Sequence, residues 1–142
     1  MIPVIIAAHG RLAEELVNSA EMIFGKQENI QKITFLPGEN TEDLKKKYNE
    51  KIEGLKNYEE ILILVDLFGG SPYNAAFEIA MINDKLEILT GVSLPMLLEI
   101  LSIRDGINLI KEINESIKNS KNEYIRSFKE LNEAIYEEEL IW

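Results

Sequence analysis

Residues 2–8, IPVIIAA, and residues 60–66, EILILVD, are nearly unbroken apolar runs rich in β-branched side chains. Runs of this length without alternation predict strands covered on both faces, as in a parallel sheet. Between them the period changes. Leu12, Leu16 and Ile23, with Ala13, Val17 and Ala20 beside them, recur on one helical face, and Gly25 supplies a stop. IQKITF (30–35) is a shorter strand pattern closed by the turn LPGEN. Asn40 or Thr41 then caps a helix carrying Leu44, Tyr48, Ile52 and Leu55.

The alternation continues downstream. After LFGG, Ser71 occupies an N-cap position and Pro72 the first helical position, with Ala75, Ala76, Ile79 and Ala80 turned inward. LEILTG (86–91) predicts a fourth strand, and Ser93 and Pro95 open a helix through Leu97, Leu98 and Leu101. Ile107, Ile110, Ile113 and Ile117 mark a further helix. Strand–helix alternation of this kind predicts one α/β domain over residues 1–142. Its sheet is open and mainly parallel, four strands in the order 2-1-3-4, with helices on both faces. The tail, 123–142, admits two readings. Tyr124–Phe128 fits an edge strand, while Ile125, Phe128, Leu131 and Ile135 fit a helix.

Composition narrows the function. A chain of 142 residues can bury one real core. Its formal charge of −10 disfavours nucleic acid and anionic membranes as partners and suits a basic protein, although solubility alone also accounts for it. No apolar run approaches the ~20 residues of a membrane helix. The N-terminus lacks a charged leader and reads as a core strand. The absence of cysteine removes disulfides, thiolate metal sites and cysteine nucleophiles, and a cytosolic setting fits.

The candidate chemistry gathers at the strand ends. His9, the only histidine, closes the first strand, and Asp66 closes the third just before Gly69, Gly70 and Ser71. In an open parallel sheet ligands bind beyond the carboxyl ends of the strands, where helix N-termini point. An ordinary imidazole, titrating near ~6.5, is largely neutral at cytosolic pH. A carboxylate on one ring nitrogen fixes the tautomer and leaves the other as a nucleophile. Glycines admit an anion close to backbone N–H groups, and a helix N-terminus adds roughly half a positive charge. Those parts suit phosphoryl transfer through a covalent phosphohistidine. Taken singly, each has a plainer reading: a structural histidine, a turn or cap aspartate, an ordinary strand-to-helix connection. The glycines are followed by no P-loop lysine and form no GxGxxG. Phe68 and Tyr73 read as packing residues.

Together, AAHG after the first strand, PGEN after the second, VDLFGGSPYN after the third and TGVSLPMLLE after the fourth resemble the IIA component of the mannose/fructose/sorbose-type sugar phosphotransferase system, over about residues 2–105. The resemblance implies a cytoplasmic phosphotransferase. The phosphocarrier HPr would phosphorylate His9, which would pass the group to a IIB component while the IIC and IID membrane subunits import the sugar. Asp66 would orient His9, and Ser71 with the Gly69–Gly70 amides would hold the phosphate. No metal or diffusible cofactor is implied. It also implies a homodimer that exchanges a C-terminal strand, for which Tyr124–Phe128 is the candidate. The ending NEAIYEEELIW is unlike a linker, so IIB is expected as a separate protein. Two alternatives stand beside this reading: a phosphotransfer subunit of a dihydroxyacetone kinase, and a non-catalytic binding module on a flavodoxin-like scaffold.

Overall fold

The structure is a computed structural model and describes residues 1–107 and 109–141. In chain order the elements are β1 (Val4–His9), α1 (Leu12–Phe24), β2 (Ile30–Phe35), α2 (Thr41–Glu53), β3 (Ile61–Val65), α3 (Ser71–Ala80), β4 (Leu86–Leu89), α4 (Leu94–Ile103), α5 (Ile110–Ser120) and α6 (Phe128–Ile141). The four strands pair in parallel, as the alternation predicts, and in the expected order β2-β1-β3-β4.

The continuous apolar runs are the central strands. Residues Val4–Ala8 and the whole of β3 are buried. Their side chains sort by the two-residue period of a strand. Val4, Ile6, Ala8, Leu62 and Leu64 face one layer, with Val17, Leu97, Ile100 and Ile113. Ile5, Ala7, Ile61, Ile63 and Val65 face the other, with Leu44, Tyr48, Ala75 and Ala76. Alanines at the end of β1 and along α3 let a helix lie close to the sheet beneath the site. The Tyr48 hydroxyl ties α2 to the start of α3 by donating to the Pro72 carbonyl at 2.7 Å.

Two predicted caps form. The Asn40 side chain accepts from the Asp43 N–H at 3.0 Å while the Asp43 carboxylate accepts from the Asn40 N–H at 2.9 Å, a reciprocal capping box. Ser93 accepts from the Met96 N–H at 3.3 Å. The third expectation shifts by one residue. Gly70, in extended conformation, takes the N-cap position of α3, and Ser71 is its first helical residue, with no side-chain cap bond. A glycine is needed there because the backbone passes against the His9 ring, and the helix starts one residue earlier than propensity alone predicts.

The tail adopts the helical reading from Phe128 onward. Residues 125–127 lie outside any helix or strand within this chain. Just before them, α5 and Tyr124 are docked by three carboxylates. Glu60 accepts from the Ile110 N–H at 2.7 Å, Glu87 from Asn114 at 2.9 Å, and Glu99 from both Ser116 and Tyr124 at 2.8 Å. Burial, reinforced by Glu99, raises the pKa of the Tyr124 hydroxyl, so it stays a donor.

Arg104 went unmarked in the sequence pattern, yet it is wholly buried. Its guanidinium donates to the Asn29 carbonyl at 3.1 Å, to Gln27 Oε1 at 3.3 Å and to the Glu28 carbonyl, at the end opposite the candidate site. Burial holds this guanidinium below its usual pKa, but arginine remains charged at any ordinary pH. Arg104→Met would keep most of the volume and strand those acceptors. The expected loss is roughly 2–4 kcal/mol of stability. A denaturant midpoint equal to that of the parent, with unchanged slope, would contradict this account.

Candidate functional site

His9 is the last residue of β1, and Asp66 follows the last residue of β3, the neighbouring strand. Because Ala7 pairs with Val65 in the parallel register, both side chains emerge at the same end of the sheet. Asp66 Oδ2 accepts from His9 Nδ1 at 2.8 Å and from the His9 backbone N–H at 3.1 Å. Asp66 Oδ1 accepts from the Leu67 N–H at 3.0 Å. A carboxylate can only accept, so Nδ1 carries a ring proton, which in the neutral imidazole leaves the lone pair on Nε2. The imidazole is 45% exposed and the carboxylate 12%, so the ring meets solvent while its anchor is largely covered.

The glycine loop closes over the same ring. Gly69 has φ +83°, a conformation that favours glycine. At Gly70 a Cβ would lie 3.0 Å from His9 Cε1 and 3.6 Å from Nε2, so only a glycine brings the backbone this near without displacing the ring. The N-terminus of α3 opens immediately afterwards. Its first N–H groups have no side-chain cap, and the Ser71 hydroxyl stands among them. Uncapped donors, a helix dipole and a close-approaching loop together make an anion-receptive corner beside Nε2.

The opposite wall was not singled out from the sequence. Phe35 ends β2 and pairs with His9 in the sheet register. The two rings meet edge to face, with centroids 5.7 Å apart and planes at 78°. Gly10, at φ +60°, is tied to Phe35 in both directions, its N–H donating at 2.8 Å and its carbonyl accepting at 3.3 Å. The imidazole is thus bounded on three sides, by Asp66, Phe35 and Gly70. The signal for Phe35 lay in topology: when two strand ends are neighbours, their last residues touch. The PGEN turn continues this wall. Leu36, Pro37, Gly38 and Glu39 line a hollow with His9. Glu39 accepts from the Leu36 N–H at 2.7 Å and pairs with Lys47, which also donates to the Thr34 carbonyl at 2.8 Å. The Lys47 contact, then the Leu36 N–H, hold the Glu39 carboxyl below its ordinary pKa.

On the other flank, Phe68 and Tyr73 stack obliquely at 4.9 Å and share a hollow with Thr90 and Gly91 of the TGVSLP turn. Phe68 is 77% exposed, so it does not pack into the core as expected. Its ring lies on the surface because the Asp66–Gly70 loop projects beyond the sheet. Among the described residues no group of three or more His, Cys, Asp or Glu side chains could hold a metal ion.

The chain is similar to known proteins over most of its length. The family described as "PTS system fructose IIA component" (EIIA-man) matches residues 3–121. A fructose-specific EIIA component of Bacillus subtilis is 36% identical over 146 aligned positions, covering 99% of this chain and 100% of that protein. A mannose-specific EIIAB component of Escherichia coli K12 is 46% identical over 104 residues, which are 73% of this chain but 32% of that protein. The chain therefore spans about a third of the length of that EIIAB relative. Among solved structures, component EIIA from Streptococcus agalactiae superimposes with TM-score 0.83 and 30% identity, covering 91% of this chain and 98% of that one. The chain belongs to the EIIA-man family of sugar phosphotransferase-system IIA components.

Proposed function

We propose that this chain is a phosphocarrier of a sugar phosphotransferase system, and that His9 Nε2 is the atom that carries the phosphoryl group. The observation that bears most weight is the 2.8 Å contact between His9 Nδ1 and Asp66, which commits the other nitrogen to the nucleophilic role. The phosphoryl donor is HPr, the acceptor a IIB component, and the setting the cytoplasm, with transport left to the IIC and IID membrane subunits. Sugar-system relatives of both fructose and mannose type favour this branch over a dihydroxyacetone kinase subunit.

In the transfer step the Nε2 lone pair forms a bond to phosphorus as the donor's phosphorus–nitrogen bond breaks in line, its electrons returning to the donor nitrogen. Phosphoryl transfer leaves little covalent work for the protein, so positioning and charge stabilisation dominate. The Nδ1 proton stays on the ring, and the Asp66 carboxylate offsets the positive charge that develops there. The Gly69–Gly70 amides and the Ser71 hydroxyl receive the equatorial oxygens. Loss of the group to the acceptor reverses the same sequence. Around the ring, Leu67 and Phe68 give an exposed apolar rim suited to transient contact with another protein. The homodimer expected from the family would use residues 124–128 of each subunit along the free edge of β4.

Incubation with phosphoenolpyruvate, enzyme I and HPr should add one acid-labile phosphate per chain, at His9, and His9→Ala should abolish it. Phosphorus NMR should assign the group to Nε2. Label that survives acid, or sits on another residue, excludes this chemistry. Asp66→Ala should slow transfer by about 10–1,000-fold, short of the ~10⁴ seen for the orienting aspartate of serine proteases. Gly70→Ala should disturb the ring itself. Proton and nitrogen NMR of the unphosphorylated variant should report an altered His9 imidazole in a folded protein, and a ring spectrum identical to the parent's would disprove the close-approach argument.

A further inference from the structure

The carbonyls of Gly69 and Gly70 draw their donors from one residue. Asn74 Nδ2 donates to the Gly69 carbonyl at 3.1 Å, and the Asn74 backbone N–H donates to the Gly70 carbonyl at 2.8 Å. Early in a helix a short polar side chain usually caps the helix or bonds within its own turn. This one reaches five residues back, past the helix start, into the glycine loop.

Covalent geometry then fixes what lies on the other side. A trans peptide unit is planar, with its C=O and N–H opposed, and no peptide here is cis. Turning the Gly69 and Gly70 carbonyls toward Asn74 turns the Gly70 and Ser71 N–H groups, the other halves of the same two units, away from it. Among the described residues, neither N–H is paired with a protein acceptor. The Gly69–Gly70 unit also has the least intrinsic resistance to rotation, since both flanking residues lack a Cβ. Were it to flip, a carbonyl oxygen would take the place of a donor, and an arriving anion would meet a negative dipole end. Among the described residues only the Asn74 amide holds the Gly69 carbonyl, whereas the Gly70 carbonyl is secured by the helix backbone itself.

We propose that Asn74 is a positioning residue for phosphoryl transfer: its side chain locks the Gly69–Gly70 peptide with the Gly70 N–H free for the group carried by His9. This rests on His9 being the phosphorylated residue. Asn74 touches neither the ring nor the reacting atoms on this account. It acts through one peptide orientation.

The test uses the full chain with phosphoenolpyruvate, enzyme I and HPr, and compares Asn74→Ala and Asn74→Asp with the parent. In the parent, phosphorylation of His9 should shift the Gly70 and Ser71 amide resonances. In Asn74→Ala the Gly70 shift should shrink, and both the rate of phosphorylation and the half-life of the phosphohistidine should fall by about 2- to 13-fold, the equivalent of one neutral hydrogen bond. Asn74→Asp cannot donate to the Gly69 carbonyl and should be slower still. An acid near a helix N-terminus supports folding, so its melting temperature should hold, separating a misplaced donor from a damaged fold. If the parent is labelled while both variants keep its half-life and its Gly70 shift, the positioning role is overturned and the His9 reading stands. If the parent itself takes no label at His9, both fall.

Discussion

The Asp66 carboxylate sits where β1 and β3 stop, and its oxygens receive N–H groups from both sides of the junction. Oδ2 takes those of the His9 backbone and ring, and Oδ1 takes that of Leu67. The first of these welds the end of β1 to the end of β3. The second sets the tautomer of the imidazole. The third starts the loop that returns Gly70 to the ring. One nearly covered carboxylate thus ties strand ends, ring tautomer and loop path together. A largely covered carboxylate with so many donors is costly to leave half satisfied. This is why the aspartate belongs to the fold as much as to the chemistry.

A carrier must hold its cargo and also surrender it, and the donor set reflects that balance. The segment Asp66–Ser71 contains no lysine or arginine, so the proposed phosphoryl site is built from backbone amides and a hydroxyl. Charge-assisted bonds are about twice as strong as neutral ones, and a cationic clamp would deepen the well from which the group must leave. Two cations on the segments that flank His9 and the PGEN turn are already engaged. Arg11 pairs with Glu14, and Lys47 is held by Glu39 and the Thr34 carbonyl. Neutral donors favour transfer in either direction.

Much of this was legible in the sequence because apolar periodicity is read one element at a time. The runs at 2–8 and 60–66 read as central strands, and His9 and Asp66 close them at the carboxyl edge of the sheet, where ligands bind. What escaped reading depended on contacts between elements. Arg104 looks like any surface charge until three backbone carbonyls converge on it from the turn before β2 and the start of β1. Phe35 looked like a strand-end residue until register set it against the imidazole. The Ser71 cap was misplaced by one position for the same reason. Local propensity favours serine at a cap, but the close approach of the backbone to His9 demanded glycine there. The tail was ambiguous because exposed apolar residues at 125, 128, 131 and 135 satisfy a helical period whether or not anything covers them.

A chain of net charge −10 is an unlikely-looking host for a doubly negative group, yet net charge is the wrong quantity at this distance. At physiological ionic strength exposed charges more than about 8 Å apart are largely screened. Only the acids beside the site count, and these are occupied. Glu39 is drawn to Lys47 strongly enough to depress its own pKa, Glu14 to Arg11, and Asp66 is consumed by its three N–H partners. The remaining acidity acts at longer range and at a different stage. It would shape the approach of a basic partner, and so bear on the rate of encounter more than on the strength of the complex. On the proposed reading, encounter and chemistry would then answer to separate sets of charges, an acidic surface at long range and the neutral donors of the Gly69–Ser71 loop at the His9 ring.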